Sequence, residues 1–260
     1  MGSMNFPRFA AVFALLSGVM FGHCAIAAHL PEIIGSIKPS IVGVGTSMAL
    51  RSPRDLFRGT GFVVADGYHV ITNAHVLPEE MDFRNKEKLV IFYGKGEKGQ
   101  LLEAKKIAED TVHDLALLKI SRPMPAVALG DDAEVLEGAD YAFTGFPLGL
   151  ALGMYPVTHR AIVSAVTPVV MPVRNSKQLN QRLVTRLRDP YMVYQLDGTA
   201  YPGNSGSPVY ERETGKVIGV VNSVFVKETK ENLLSNPSGI TYAIPVRYVK
   251  KLLDRNNVAY

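Results

Sequence analysis

Cysteine is nearly absent. The chain of 260 residues holds one, Cys24, so no intrachain disulfide and no cysteine-based metal site can be assembled. A body without cysteine suits any redox compartment, so this scarcity does not locate the protein. A strong excess of one charge is lacking too. Twenty-eight basic and 24 acidic residues leave a formal +4, spread along the chain, which gives no reason to expect a nucleic-acid partner. There is no low-complexity tract and no obvious repeat. The hydrophobic fraction of 47% is ordinary for globular proteins and argues against wholesale disorder. The length suits one or two domains with a sizeable core.

Long apolar runs are also scarce, with one exception at the amino terminus. After Met1-Gly2-Ser3, Arg8 supplies positive charge, Phe9 to Gly22 is apolar apart from Ser17, and Ala25-Ile26-Ala27 offers small residues where a signal peptidase reads them. This three-part order predicts a secretory leader over residues 1–28 and a periplasmic or secreted protein. Uncleaved, the same stretch extended to Ala28 is long enough to anchor the protein in a membrane. His23 directly before Cys24 argues against a lipoprotein site.

The remainder reads as short β segments. Ile41–Gly45, Gly61–Val64, Val70–Thr72, Leu89–Tyr93, Leu115–Ile120, Ala161–Val163 and Val217–Val221 are rich in β-branched and aliphatic residues and are bounded by turn signals such as Asp66-Gly67. Many short strands at such spacing predict an all-β barrel or sandwich. Two segments break the pattern. Val249, Leu252 and Leu253 recur at helical spacing within Val246–Asn256, predicting a terminal helix. Leu179, Leu183 and Leu187 lie four apart between Ser176 and Arg188, predicting a short basic amphipathic helix that Pro190 stops.

Three motifs carry chemistry. Acyl transfer from a peptide needs a nucleophile, a base, a group that orients the base, and donors for the oxyanion. In Pro202-Gly203-Asn204-Ser205-Gly206-Ser207-Pro208, glycines flank one serine and permit a tight turn that exposes its hydroxyl. The elbow pattern Gly-x-Ser-x-Gly does not fit, since position 207 is serine. Thr72-Asn73-Ala74-His75-Val76 follows a strand. His69, His113 and His159 also lie in the body, and a lone histidine is more often structural than catalytic. In His113-Asp114-Leu115-Ala116-Leu117-Leu118, a carboxylate heads an apolar strand, where it can hold an imidazole in one tautomer. Asp110 competes for that role but reads as a turn residue. The chain order His75, Asp114, Ser205 differs from that of subtilisin and of α/β-hydrolases.

With these residues in view, the chain resembles the trypsin-like peptidases, and among them the bacterial HtrA (Deg) group, over nearly its whole length after the leader. Gly59-Thr60-Gly61-Phe62-Val63-Val64, Thr72–Val76, Asp114–Ile120, Gly145-Phe146-Pro147-Leu148-Gly149, Ile162-Val163-Ser164, Gly203-Asn204-Ser205-Gly206 and Thr241-Tyr242-Ala243-Ile244-Pro245 follow in the family's order. The resemblance implies an all-β, chymotrypsin-like fold: an N-terminal barrel in 29–136, and a C-terminal barrel with its terminal helix in 137–260. It implies a serine endopeptidase with the triad His75, Asp114 and Ser205, an oxyanion hole from the Gly203 and Ser205 amides, protein or peptide substrates, and no cofactor or metal. Degenerate family members acting as chaperones or adaptors usually lose a triad residue, and none is lost here.

Departures refine these expectations. The run around Ser205 is more like that of glutamyl endopeptidases, but Val220-Val221-Asn222-Ser223 lacks the histidine those enzymes use to hold glutamate. The pocket base, six residues before the nucleophile, falls on Thr199; with Ala200 and the backbone of Val221, Asn222 and Ser223 it describes a neutral pocket for small or medium uncharged side chains such as Val, Ala, Leu or Met. Asn204 stands where trypsin-type zymogens carry an aspartate, so activity is expected not to depend on one particular new amino terminus. The basic helix falls where HtrA-like enzymes have a regulatory loop, and the PDZ domain usual in that group is not found in the sequence.

Overall fold

The structure is a computed structural model that describes residues 2, 30–131, 133, 135–149, 153–169, 190–222 and 239–260. The segments predicted as a leader, 1–28, and as a basic helix, 176–188, lie outside the described residues apart from Gly2. No helix among those described is long and apolar enough to cross a membrane.

Twelve strands form two closed barrels. β1 (Ile41–Ser47), β2 (Asp55–Val64), β3 (His69–Asn73), β4 (Lys88–Tyr93), β5 (Gln100–Asp110) and β6 (Leu115–Ile120) close in the order β1-β2-β3-β6-β5-β4. β7 (Asp140–Gly145), β8 (Val157–Pro168), β9 (Met192–Asp197), β10 (Pro208–Glu211), β11 (Val217–Asn222) and β12 (Ile240–Pro245) close in the order β10-β11-β12-β9-β8-β7. Neighbours are antiparallel throughout. This is the chymotrypsin-like architecture that the sequence predicts.

Side chains alternate across a strand, and here both faces of several strands are buried. On β6, Ala116, Leu118 and Ile120 join Val42, Val63, Val70 and Ile91 in the first barrel's core. Its other face sends Leu115 and Leu117 into a shared layer with Phe62, Ile71, Phe146, Tyr210, Val220 and Ile244. β11 does the same in the second barrel: Ile218 and Val221 pack with Phe143, Val163, Leu196 and Val209, while Val217 and Val220 face the shared layer. Strands buried on two faces read as unbroken apolar runs, which is why these two stand out in the sequence. β5 is hidden for the converse reason: Glu103, Lys105 and Lys106 face solvent.

Among the described residues, two helices flank the barrels and cross over. α1 (Leu30–Ile37) leads into the first barrel, but Ile33 and Ile37 rest on the second. A Cβ added to Gly215, in the β10–β11 hairpin, would lie 3.2 Å from Ile33 Cγ2 and 3.4 Å from Ile37 Cδ1. α2 (Val246–Arg255) leaves the second barrel and buries Val246, Val249, Leu252 and Leu253, each worth roughly 1.5–3 kcal/mol. Its polar face reaches the first barrel. Tyr248 stacks on His113 at a centroid distance of 3.9 Å, and Arg255 Nη1 lies 3.6 Å from Asp110 Oδ2.

Candidate active site

The site lies between the barrels, where Asp114 meets Asn222 and Thr60 meets Ser205. β3 ends at Asn73, and the chain turns through a short 3-10 helix, Ala74–Val76, that carries His75. Asp114 sits directly before β6, which pairs with β3 with Asn73 opposite Leu115. That register brings the two side chains together. His75 Nδ1 lies 2.6 Å from Asp114 Oδ2, and the His75 amide donates to Oδ1 at 3.0 Å. A carboxylate can only accept, so this contact places the ring proton on Nδ1 and leaves Nε2 as the basic nitrogen.

Asp114 adopts a left-handed backbone, with φ of +57°. Such a conformation costs a non-glycine residue on the order of 1 kcal/mol or more. It is held by bonds to both ends of the residue. The Asp114 carbonyl accepts from Ala74 N at 3.1 Å and from Asn73 Nδ2 at 3.0 Å. The carboxylate accepts from Asn222 Nδ2 at 2.7 Å, in addition to its two bonds from His75. Asn222 ends β11 and is fully buried, so the second barrel directly steadies an aspartate of the first.

Ser205 is buried, with 5% of its surface exposed. Its loop is shaped by two glycines that no other residue can replace without strain. Gly203 has φ of +102°, and a Cβ there would lie 2.3 Å from the Phe146 carbonyl oxygen. Gly206 has φ of +89°, and its Cβ would lie 2.0 Å from the Thr60 carbonyl oxygen. Backbone bonds then fix the turn: Asn204 N to Tyr201 O at 3.0 Å, Ser207 N to Asn204 O at 2.9 Å, and Gly206 N to Val221 O at 3.0 Å.

Thr60, on β2, ties this loop to the first barrel. Its amide donates to the Ser205 carbonyl at 2.8 Å and its hydroxyl donates to the Gly203 carbonyl at 2.7 Å. The same Oγ1 accepts from Phe146 N at 3.0 Å, and the Thr60 carbonyl accepts from Thr72 Oγ1 at 2.7 Å.

Asp110 is not a plain turn residue. It closes β5, is buried, and holds His113 twice: Oδ1 accepts from the His113 amide at 3.0 Å, and Oδ2 lies 2.8 Å from Nδ1. Burial alone would raise its carboxyl, but the His113 hydrogen bonds and the charges of His113 and Arg255 outweigh this and hold it below the usual carboxylate value. A second His–Asp pair therefore sits immediately before the first, facing α2.

The residues read as the specificity pocket part company. Thr199 and Ala200 are half-buried in the loop between β9 and β10, where the Ala200 amide donates to Thr241 Oγ1 at 2.9 Å. Val221 packs in the second barrel's core and the Asn222 amide group is committed to Asp114, so what these two can offer a pocket is backbone. Ser223 lies outside the described residues. Reading the sequence alone did not single out the roles of Thr60 and Asn222, because both arise from pairings between distant strands.

The geometry can be set beside known proteins. A family model described as a trypsin-like peptidase domain matches residues 59–220. A protein of Halomonas elongata called "Probable periplasmic serine endoprotease DegP-like" is 27% identical over 199 residues, covering 76% of this chain and 34% of the relative. A protein of the same description from Chlamydia trachomatis serovar D is 30% identical over 204 residues, with 78% and 34% covered. The chain thus spans about a third of the length of the curated relatives it matches. Among solved structures, "HtrA-type protease AlgW with tripeptide" is similar with a TM-score of 0.63 at 21% identity, over 87% of this chain and 63% of that one. The Rv3671c protease from M. tuberculosis in its active form gives 0.62 at 22%, over 88% and 85%. These two structures speak to the fold.

Proposed function

The chain belongs to the trypsin-like peptidase family, and on that premise we propose that it is a serine endopeptidase of the DegP-like (HtrA) kind acting through His75, Asp114 and Ser205. The observation that carries this reading is the grip on Asp114, whose carboxylate takes the His75 amide, the His75 ring and the Asn222 amide group at once. An aspartate held so firmly keeps one imidazole tautomer, which is what general-base catalysis by Nε2 requires.

In the proposed mechanism, Ser205 Oγ attacks the scissile carbonyl carbon while His75 Nε2 takes the hydroxyl proton. The tetrahedral oxyanion is held by the Gly203 and Ser205 amides. The C–N bond breaks as His75 returns its proton to the leaving amine, and Ser205 is left as an ester. Water then repeats the sequence: its oxygen attacks the ester carbonyl carbon as His75 takes its proton, the C–O bond to Ser205 breaks, and His75 returns the proton to Ser205 Oγ, releasing the acid. Asp114 stays ionised throughout and stabilises the imidazolium.

Substrates of this class are proteins or peptides, with an uncharged side chain before the scissile bond, since Thr199 and Ala200 bring no charge. The relatives called periplasmic, together with the apolar leader, support an extracytoplasmic site of action, cleaved free or anchored, in protein quality control or processing. Labelling by a fluorophosphonate probe, alongside cleavage of a peptide library by wild type and by Ser205→Ala, tests the reading. Labelling of wild type only, and cleavage lost in the variant, is the expected result. Cleavage undiminished in Ser205→Ala would overturn it, and a wild type that is neither labelled nor active would indicate a catalytically silent adaptor instead.

A further inference from the structure

His159 lies on β8, directly opposite Phe143 of β7 in the barrel register. The two rings stack, with centroids 4.8 Å apart and planes 17° from parallel. Phe143 is fully buried in the core of the second barrel, so His159 points the same way, inward. Its other aromatic neighbour is Tyr201, at 6.4 Å, in the loop four residues before Ser205. Ala161, two residues further along β8 and therefore on the same face, abuts the start of that loop: a Cβ on Gly198 would lie 2.9 Å from the Ala161 Cβ. The face carrying His159 and Ala161 thus fronts the segment from Gly198 to Tyr201. That segment contains Thr199 and Ala200, the residues assigned to the substrate pocket.

His159 Nε2 is buried and has no hydrogen-bond partner among the described residues. A buried polar atom left without a partner is costly, and native structures rarely keep one without a reason. The neighbouring charge is not directed at it: Arg160 lies on the opposite face, 63% exposed, with Nη2 3.5 Å from Asp140.

Building on the peptidase reading above, we propose that His159 is a specificity-determining residue. Its Nε2 receives the side chain that precedes the scissile bond, and it selects a neutral group bearing both a donor and an acceptor, of which the carboxamides of Gln and Asn are the type. Burial pushes the His159 imidazole below its ordinary value, and no carboxylate among the described residues opposes the shift. At neutral pH the ring is therefore uncharged and offers Nε2 as either a donor or an acceptor, according to tautomer. A carboxamide satisfies both cases. A carboxylate would have to charge a buried ring, and an ammonium group would be buried without a counter-ion. An aliphatic side chain would leave Nε2 without a partner.

The test compares wild type with His159→Phe, which keeps a ring to stack on Phe143 but has no nitrogen, and with His159→Leu. Two readouts are taken: kcat/KM on peptides that differ only in Gln or Leu before the scissile bond, and calorimetric binding of product-like peptides ending in Gln or Leu. Wild type should favour Gln by roughly ten- to a hundredfold, the range for a site whose polar group goes unpaired with the wrong substrate. Both variants should lose or reverse that preference while still being labelled at Ser205 by a fluorophosphonate. A wild type that favours Leu in both assays, or variants that keep the Gln preference, would overturn the proposal. Binding requires no chemistry, so a wild type that binds Gln-ended peptides selectively but is not labelled would fault the triad assignment and leave the role of His159 standing. Should the variants fail to fold, the wild-type binding ratio alone decides.

Discussion

Thr60 and Gly203 stand 143 positions apart in sequence and are joined by one hydrogen bond, from the Thr60 hydroxyl to the Gly203 carbonyl at 2.7 Å. This bond connects the barrel that carries His75 and Asp114 to the loop that carries Ser205. Thr60→Val keeps the shape but strands the Gly203 carbonyl and the Phe146 amide, at about 1–3 kcal/mol for each group left without a partner. Both melting temperature and kcat should fall, and Thr60→Ser should restore both. Equal kcat in wild type and Thr60→Val would show that the bond does not position the loop.

Asp114→Asn separates the orienting role of the carboxylate from its backbone. Asparagine also tolerates a positive φ, so the chain should fold. An amide nitrogen facing His75 Nδ1 favours the wrong tautomer, and kcat should drop by on the order of 10⁴, as in the serine-protease template. Asp110→Asn should leave kcat within a fewfold of wild type. Steady-state kinetics on one peptide substrate checks both.

Asn222→Ala removes one donor from the Asp114 carboxylate. Hydrogen bonds to charged groups are worth about 1.5–3 kcal/mol, so kcat should fall by roughly ten- to a hundredfold with KM little changed. The cleavage profile over a peptide library should be the same as that of wild type. An altered profile with kcat intact would instead assign the side chain of Asn222 to the substrate pocket.

Asp110 links stability to acid pH. Its carboxyl is held below the ordinary value in the folded protein, whereas the unfolded chain protonates near about pH 3.9. The contribution of Asp110 is therefore fully present above that pH and is lost as pH falls through the lower folded value. Asp110→Asn should be less stable than wild type at pH 7, and the gap should close as pH drops below about 4. Urea denaturation of the two proteins from pH 7 down to acid checks the sign; a gap that widens on acidification would contradict it.

Much of this was legible because the chemistry is written in short local runs. Thr72–Val76, His113–Leu118 and Gly203–Pro208 each announce themselves without reference to the others. Strands buried on two faces, such as β6 and β11, show as unbroken apolar stretches, and Leu252 and Leu253 show α2. What stayed hidden depends on register between distant strands. The Asn222 amide group meets Asp114 only because β11 approaches β3 and β6, and His159 meets Phe143 only because of how β7 and β8 pair. Val220–Ser223, after Ser205, carries no histidine, whereas His159 stands on the strand opposite Phe143. β5 escaped notice because its solvent face is charged.

The crossing of the two flanking helices has a mechanical consequence. α1 precedes the first barrel yet rests on Gly215 of the second, and α2 follows the second yet is fastened to the first through Tyr248 and Arg255. A tension applied between residues 30 and 255 would therefore act first on helix-to-barrel contacts, peeling them one side chain at a time, before any pair of strands is loaded. In a single-molecule pulling trace this gives an early, low-force event that exposes the shared layer, followed by a separate rupture of the barrels. The ends of the fold act as a paired latch, while Thr60 and Asn222 hold the barrels together at the site itself.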